Sequence, residues 1–134
     1  MLVLEAAVWE KVLAHCLLGA PLEACGLLGG RGGDDAFGLR AYPTTNAASS
    51  SRVYTVDAGD LLRADRAEAA AGGELVGVWH SHTHTDAWPS PTDVSQAPDP
   101  GWHYVLVSLR DLEPVLRSFR IRDGNIEEEP VVLQ

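Results

Sequence analysis

Two histidines and an aspartate have the spacing of a metal site. His80 and His82 are two residues apart and follow the apolar run 75–79, and Asp93 comes eleven residues after His82. On a β-strand, residues i and i+2 point to the same face, so both imidazoles can bind one ion. Asp93 can return as a third ligand and leave one tetrahedral position for water. This is the layout of a catalytic zinc site, because structural zinc sites are normally closed by four protein ligands.

The segment from Ser90 to Asp93 has a second, compatible interpretation as a helix start. Ser90 would be the N-cap, Pro91 would occupy the first helical position, and Asp93 would complete the capping box. A helix that begins in this way would hold Asp93 rigidly towards the two histidines.

The next histidine, His84, fits the metal site less well. On a straight strand His80 and His84 would lie roughly 13 Å apart, which is awkward for one ion with bonds near ~2.1 Å. Pairing His82 with His84 would place Ser95, and not a carboxylate, eleven residues further on. We therefore predict His80, His82 and Asp93 as ligands and His84 as a loop residue near the site. His15 and His103 have no comparable setting and are predicted to be structural.

Hydrolysis at such a site also needs a base that takes and delivers a proton. The acidic candidates are Glu23, Asp57, Glu74 and Asp86. Glu23 is favoured because it begins a strand of glycines and small apolar residues, where a carboxylate has no obvious surface role. A solvated glutamate at a strand end is the alternative.

Hydrophobic periodicity and turn residues predict one α/β domain over residues 1–134, with helices packed on a mixed sheet. In the second helix, Leu61 and Leu62 are expected to contact the core. The predicted helices cover residues 4–19 and 57–71, with a short one from 91, and the predicted strands cover 23–30, 37–42, 75–81, 102–109, 114–121 and 126–132, with an extended piece at 52–56.

These residues together resemble the JAMM (MPN+) zinc metalloprotease family, and in particular its small prokaryotic stand-alone members. Residues 23–30, Glu-Ala-Cys-Gly-Leu-Leu-Gly-Gly, match the first half of the family motif. His80, His82, Ser90 and Asp93 match the second half, and Asn46 with residues 53–57 resembles the middle. One departure is Thr83, where the family commonly has proline.

The resemblance implies a cytidine-deaminase-like α/β fold, a mixed β-sheet flanked by helices. It implies that His80, His82 and Asp93 bind Zn²⁺ and that Glu23 is the general base acting on the zinc-bound water. Ser90 would donate a hydrogen bond to the oxyanion of the tetrahedral intermediate. The implied reaction is hydrolysis of the peptide or isopeptide bond after the C-terminal glycine of a ubiquitin-like or sulfur-carrier protein. One group of relatives releases cysteine from such a carrier, and we expect this substrate class.

Composition excludes several other classes. The net charge of −9 repels phosphate backbones, which argues against nucleic-acid binding and against a DNA-repair relative with a similar motif. No apolar run approaches the roughly 20 residues that cross a bilayer, so we expect a cytoplasmic protein with no membrane partner. Cys16 and Cys25 are too few for a disulfide framework and are predicted to be buried thiols.

Two other functions remain to be weighed against the hydrolase. Relatives that lack the metal ligands serve as non-catalytic scaffolds, but every ligand position is present in this chain. A zinc nucleoside deaminase would use thiolates from a Pro-Cys-x-x-Cys element, and the sequence has none. Metal content distinguishes the hydrolase from the scaffold.

Overall fold

A computed structural model describes all residues from 1 to 134. The chain forms eight strands and three helices in the order β1 Leu2–Leu4, α1 Ala6–Gly19, β2 Cys25–Arg31, β3 Ala36–Thr44, α2 Ala58–Ala70, β4 Glu74–His82, α3 Pro91–Ser95, β5 His103–Ser108, β6 Val115–Arg122, β7 Asn125–Glu129 and β8 Val131–Leu133. None of the three helices is long and apolar enough to span a bilayer.

All eight strands belong to one mixed sheet with the order β7-β6-β5-β4-β2-β3-β1-β8. Strands β4 and β5 are parallel, and β2 pairs with both β3 and β4 in the antiparallel sense. The edge strands β7 and β8 are consecutive in the chain, and only Pro130 lies between them. Because neighbours in the chain lie at opposite edges, the sheet must curl until its edges approach each other.

The two long helices pack on opposite faces of the sheet. Helix α1 buries Val8, Val12 and Cys16, which follow each other at intervals of four residues and join the cluster around Trp79. Helix α2 contributes Ala64 to a second cluster on the other face. The mixed sheet with flanking helices confirms the predicted fold class.

Several sequence predictions need correction. Leu61 and Leu62 are 38% and 49% exposed, so the expectation that they contact the core was wrong; Ala64 and Glu68 occupy the buried stripe of α2 instead. Residue Leu4 belongs to strand β1 and not to the first helix.

Two predicted strands also have different bounds. The single strand expected over residues 126–132 is two strands, because Pro130 lacks an N–H for the ladder and the pairing partner changes there from β6 to β1. The extended piece at 52–56 is not a strand, and only Val56 forms a bridge, with Asn46. Cys16 and Cys25 are free and buried, as predicted.

A buried polar cluster joins strands β5, β6 and β7 near the closure of the sheet. Glu129 Oε2 lies 2.6 Å from His103 Nδ1 and accepts a hydrogen bond of 2.8 Å from Ser118 Oγ. The second ring nitrogen of His103 lies 2.8 Å from the backbone oxygen of Gly33. Burial raises the pKa of Glu129, but hydrogen bonds from His103, the Met1 ammonium and Ser118 outweigh it and lower the pKa to about 2. His103 is therefore structural, as its setting in the sequence indicates.

We expect Glu129→Gln to lower the free energy of unfolding at pH 7 by about 3 kcal/mol, because the ionised carboxylate is stabilised only in the folded state. The folded pKa lies below the unfolded one, so this stabilisation is complete above about pH 5 and is lost as pH falls towards about 2. Urea denaturation at pH 7, 5 and 3 measures it. Glu127→Gln, at an exposed position of the same strand, is the matched control. An equal loss for both variants, or one independent of pH, would contradict the expectation.

Candidate metal centre

Strand β4 carries both histidines on one face at its carboxyl end. His80 and His82 are 4% and 5% exposed, and their Nε2 atoms lie 3.3 Å apart. The ring of His80 stacks on Tyr54, with centroids 4.1 Å apart. His82 Nδ1 lies 2.8 Å from the backbone oxygen of Asp86, and donation to that carbonyl would leave the Nε2 lone pair free. The strand geometry thus directs two imidazole nitrogens to one point.

Asp93 reaches the same point from helix α3. The helix begins with a complete capping box: Ser90 Oγ accepts from the Asp93 N–H at 3.0 Å, and Asp93 Oδ2 accepts from the Ser90 N–H at 2.9 Å. The same Oδ2 atom lies 2.9 Å from His82 Nε2 and 3.2 Å from His80 Nε2. The helix starts as predicted, and its capping box places Asp93 against the two histidines.

Glu23 lies just before strand β2 and faces the histidines. Its N–H donates to the Ser50 carbonyl at 2.8 Å, and its own carbonyl accepts from Asn46 Nδ2 at 3.0 Å. The next residue, Ala24, is fixed to Ser81, the residue between the two histidines: the Ser81 N–H donates to the Ala24 carbonyl at 3.0 Å, and the Ala24 N–H donates to Ser81 Oγ at 2.9 Å. Backbone pairing therefore sets the spacing between Glu23 and the histidines.

The four side chains form a buried group that suits a metal ion. One ligand atom from each of Glu23, His80, His82 and Asp93 lies within 4.8 Å of all the others. Glu23 Oε1 and Asp93 Oδ1 are buried without a hydrogen-bond partner. Buried carboxylate oxygens without a partner are costly, and a cation bound among these nitrogen and oxygen donors would remove that cost. The donor set therefore fits a metal.

The environment shifts the pKa values of the acidic pair in opposite directions. Burial raises the pKa of Glu23 to about 7; the nearby His82 opposes this rise and Asp93 adds to it. Burial also tends to raise the pKa of Asp93, but hydrogen bonds from His80 and His82 hold it well below its usual range. Asp93 is thus suited to stay ionised as a ligand, while Glu23 is suited to exchange a proton near neutral pH.

The other acidic candidates from the sequence lie elsewhere. Asp57 caps helix α2 and accepts from the Asp60 N–H at 3.0 Å, and Glu74 accepts from the Gly32 N–H at the opposite end of β4. Asp86 contributes only its backbone oxygen, to His82. His84 is exposed and outside the four-residue group.

Sequence reasoning missed the role of the backbone around Asn46 and Ser81. Asn46 connects the Glu23 carbonyl to the loop before α2, and the buried Ser81 ties β4 to Ala24. The role of Ser81 could have been predicted from the sequence. A serine between two histidines on a strand points to the opposite face, and a buried hydroxyl needs a hydrogen-bond partner there. For Asn46 the sequence offered only its resemblance to the middle of the family motif, which did not predict these hydrogen bonds.

Comparisons with known proteins agree with this geometry. The family described as prokaryotic homologs of the JAB domain matches residues 5–122. The chain is 46% identical over 132 residues to a protein of Mycobacterium tuberculosis named CysO-cysteine peptidase, a match that covers 98% of this chain and 90% of the relative. It is 36% identical over 110 residues to the desampylase of Haloferax volcanii, which covers 78% of each chain.

A solved structure extends the likeness to the whole fold. The solution structure of protein DSY2949 from Desulfitobacterium hafniense superposes with a TM-score of 0.92 at 38% identity, covering 100% of this chain and 93% of that one. The family match spans both Glu23 and the segment from His80 to Asp93, so it includes every residue of the buried group. The chain belongs to the prokaryotic branch of the JAB domain family.

Proposed function

We propose that this protein is a zinc-dependent peptidase that releases an amino acid, in the leading case cysteine, from the C-terminal glycine of a ubiquitin-like sulfur-carrier protein. The convergence of Glu23, His80, His82 and Asp93 carries this proposal. A group of this kind is suited to hydrolysis because it combines three ligands with a separate, proton-exchanging carboxylate.

The donor set favours zinc. A catalytic zinc site typically has three protein ligands and a fourth position that is open to water or substrate. Two imidazole nitrogens and one carboxylate oxygen are suitable ligands for such a site. His80, His82 and Asp93 would hold the ion. Bound there, zinc would supply Lewis acidity towards the peptide carbonyl and would lower the pKa of water.

The chain's own residues would carry the proton transfers and stabilise the charge that develops. Glu23 would take a proton from the attacking water and deliver it to the leaving nitrogen, a task that its pKa of about 7 suits. Ser90 Oγ already accepts from the Asp93 N–H, so its own hydroxyl proton is free to be donated. That proton would be donated to the oxyanion of the tetrahedral intermediate.

The substrate class is inferred from the relatives. The names of two of them, CysO-cysteine peptidase and desampylase, fit a substrate in which a small carrier protein is joined to a further group. An extended glycine tail is the part of such a carrier that can reach a buried centre, because glycine has no side chain to clash. The stronger similarity to the peptidase makes a carrier–cysteine adduct our leading substrate.

Metal content and cleavage together test the proposal. We expect about one zinc ion per chain by mass spectrometry when the protein is purified without chelators or a histidine tag. The same protein should remove one cysteine residue from a ubiquitin-like carrier that ends in Gly-Gly-Cys. Asp93→Ala should lose both the metal and the activity, since only two ligands remain.

Asp65→Ala is the matched control, because Asp65 is an exposed aspartate of helix α2 that does not belong to the buried group. It should keep the metal and the activity. A wild-type protein that binds no metal even when zinc is offered would refute the hydrolase and favour a scaffold.

A further inference from the structure

The cleft that opens onto the metal centre is lined only by polar and charged residues. It has a volume of about 460 Å³ and no hydrophobic residue among the seven that line it, which include Glu23, His82 and Ser90. Protein surfaces that bind a folded partner usually have an apolar centre. A small polar cleft is better suited to a charged chain end than to the face of a second protein.

Arg52 is the one Lys or Arg side chain in this cleft. Six of the ten basic residues of the chain form ion pairs with carboxylates. Arg52 is not among them, although acidic residues outnumber basic ones by nineteen to ten. Arg52 therefore lines the cleft without a carboxylate partner from the protein itself.

The loop that carries Arg52 is fixed to the backbone of Glu23. Asn46 Nδ2 donates to the Glu23 carbonyl at 3.0 Å and to the Val53 carbonyl at 3.1 Å. The Ser50 carbonyl accepts from the Glu23 N–H at 2.8 Å. Ser50 Oγ accepts from the Arg52 N–H at 3.0 Å and from the Val53 N–H at 3.3 Å. Arg52 thus starts from a backbone position that is set relative to Glu23.

We propose that Arg52 binds the α-carboxylate of the amino acid that the reaction releases, and so selects carriers that end in a single added amino acid over isopeptide-linked proteins. This inference rests on the proposed function and names the substrate feature that the same cleft recognises. The planar guanidinium matches a carboxylate through two parallel hydrogen bonds.

Electrostatics favour such a partner for the carboxylate. A C-terminal carboxylate that enters this cleft approaches the carboxylates of Glu23 and Asp93 on a protein of net charge −9. Arg52 offsets that repulsion at the entrance. An isopeptide-linked lysine brings no α-carboxylate next to the scissile bond and gains nothing from Arg52.

The reaction leaves this contact intact. Water adds to the glycine carbonyl and the C–N bond breaks, so that the carrier ends in a new carboxylate and the amino acid leaves with a free amine. The α-carboxylate of the amino acid takes no part in the bond changes. It can therefore stay bound to Arg52 from substrate to product.

The test compares two substrates that differ in one charge. Carriers ending in Gly-Gly-Cys with a free carboxylate, or with a C-terminal amide, are offered to wild type, Arg52→Ala and Arg52→Lys. We expect wild type to prefer the free acid in kcat/KM by about 10- to 100-fold, the range for a charge-assisted contact. Arg52→Ala should remove this preference by slowing only the acid, and Arg52→Lys should keep part of it.

Arg66→Ala is the control for the loss of one positive charge, because Arg66 is exposed on helix α2 and forms no ion pair. It should keep the full preference. A second readout is the affinity of the two carriers for Glu23→Gln protein with and without Arg52→Ala, which should show the same difference without cleavage.

The outcomes separate the two proposals. Equal cleavage of acid and amide by wild type, or equal slowing of both by Arg52→Ala, would overturn the role of Arg52 and leave the peptidase standing. Equal slowing would also result if Arg52 bound the new carboxylate of the carrier. Cleavage of neither substrate would refute the peptidase, and the affinity comparison would then decide about Arg52 by itself.

Discussion

Replacing Glu23 by glutamine is expected to lower kcat by at least about 10²- to 10⁴-fold, the contribution of a general base, while the zinc content stays unchanged. Glutamine has the shape of glutamate but cannot accept the proton of the attacking water. The proposed ligands His80, His82 and Asp93 are untouched by the change. Steady-state cleavage of the carrier–cysteine adduct and metal analysis of the same preparation measure both quantities.

Glu113→Gln is the matched control, since Glu113 is exposed and lies in the loop before β6. It should behave as wild type. Retained activity in Glu23→Gln would show that another residue is the general base. A loss of zinc from that variant would instead show that Glu23 is a fourth ligand, which its place within 4.8 Å of the other three makes a direct alternative.

The second large effect is expected at Ser90. Ser90→Ala should lower kcat by about 10²- to 10³-fold, because it removes a hydrogen bond made to the oxyanion only as charge develops. It should also cost about 1 kcal/mol of stability, since Ser90 Oγ caps helix α3 through the Asp93 N–H. Cleavage kinetics and urea denaturation measure the two effects separately, and Ser90→Thr should recover much of both.

Ser95→Ala provides the comparison at the other end of the same helix, where the hydroxyl donates to the Thr92 carbonyl at 2.8 Å. We expect little change in kcat for this variant. If the activity of Ser90→Ala falls only in proportion to its zinc content, Ser90 acts by holding Asp93 and not by donating to the oxyanion.

The convergence of His80, His82 and Asp93 could be predicted because their geometry is local. His80 and His82 share a strand face, and Asp93 is positioned by a capping box that is written in four consecutive residues. These relations depend on the strand period and on helix capping, which hold in almost any tertiary context. Glu23 is distant in the chain from these residues, and its place beside them was predicted from its match to the family motif.

Other features depend on partners that are distant in the chain. Strands β1 and β8 have three residues each and exist because they pair with each other and because β1 also pairs with β3. Nothing in so short a segment distinguishes it from the start of a helix. The exposure of Leu61 and Leu62 could not be predicted either, because helix composition does not tell which side of α2 faces the sheet.

Because Ser81 pairs with Ala24, the position of Glu23 relative to the histidines and the recognition of the substrate can change independently. The distance between base and ligands is determined by hydrogen bonds within the sheet, whereas Arg52 belongs to a loop outside the β-ladders. Replacement of Arg52 alone would thus alter which conjugates are cut. It would leave the chemistry unchanged, because Asn46 and Ser50, which hold the Glu23 backbone, and Tyr54, which stacks on His80, are kept. A new specificity can therefore arise by substitution at this one loop position, without a period in which catalysis is lost.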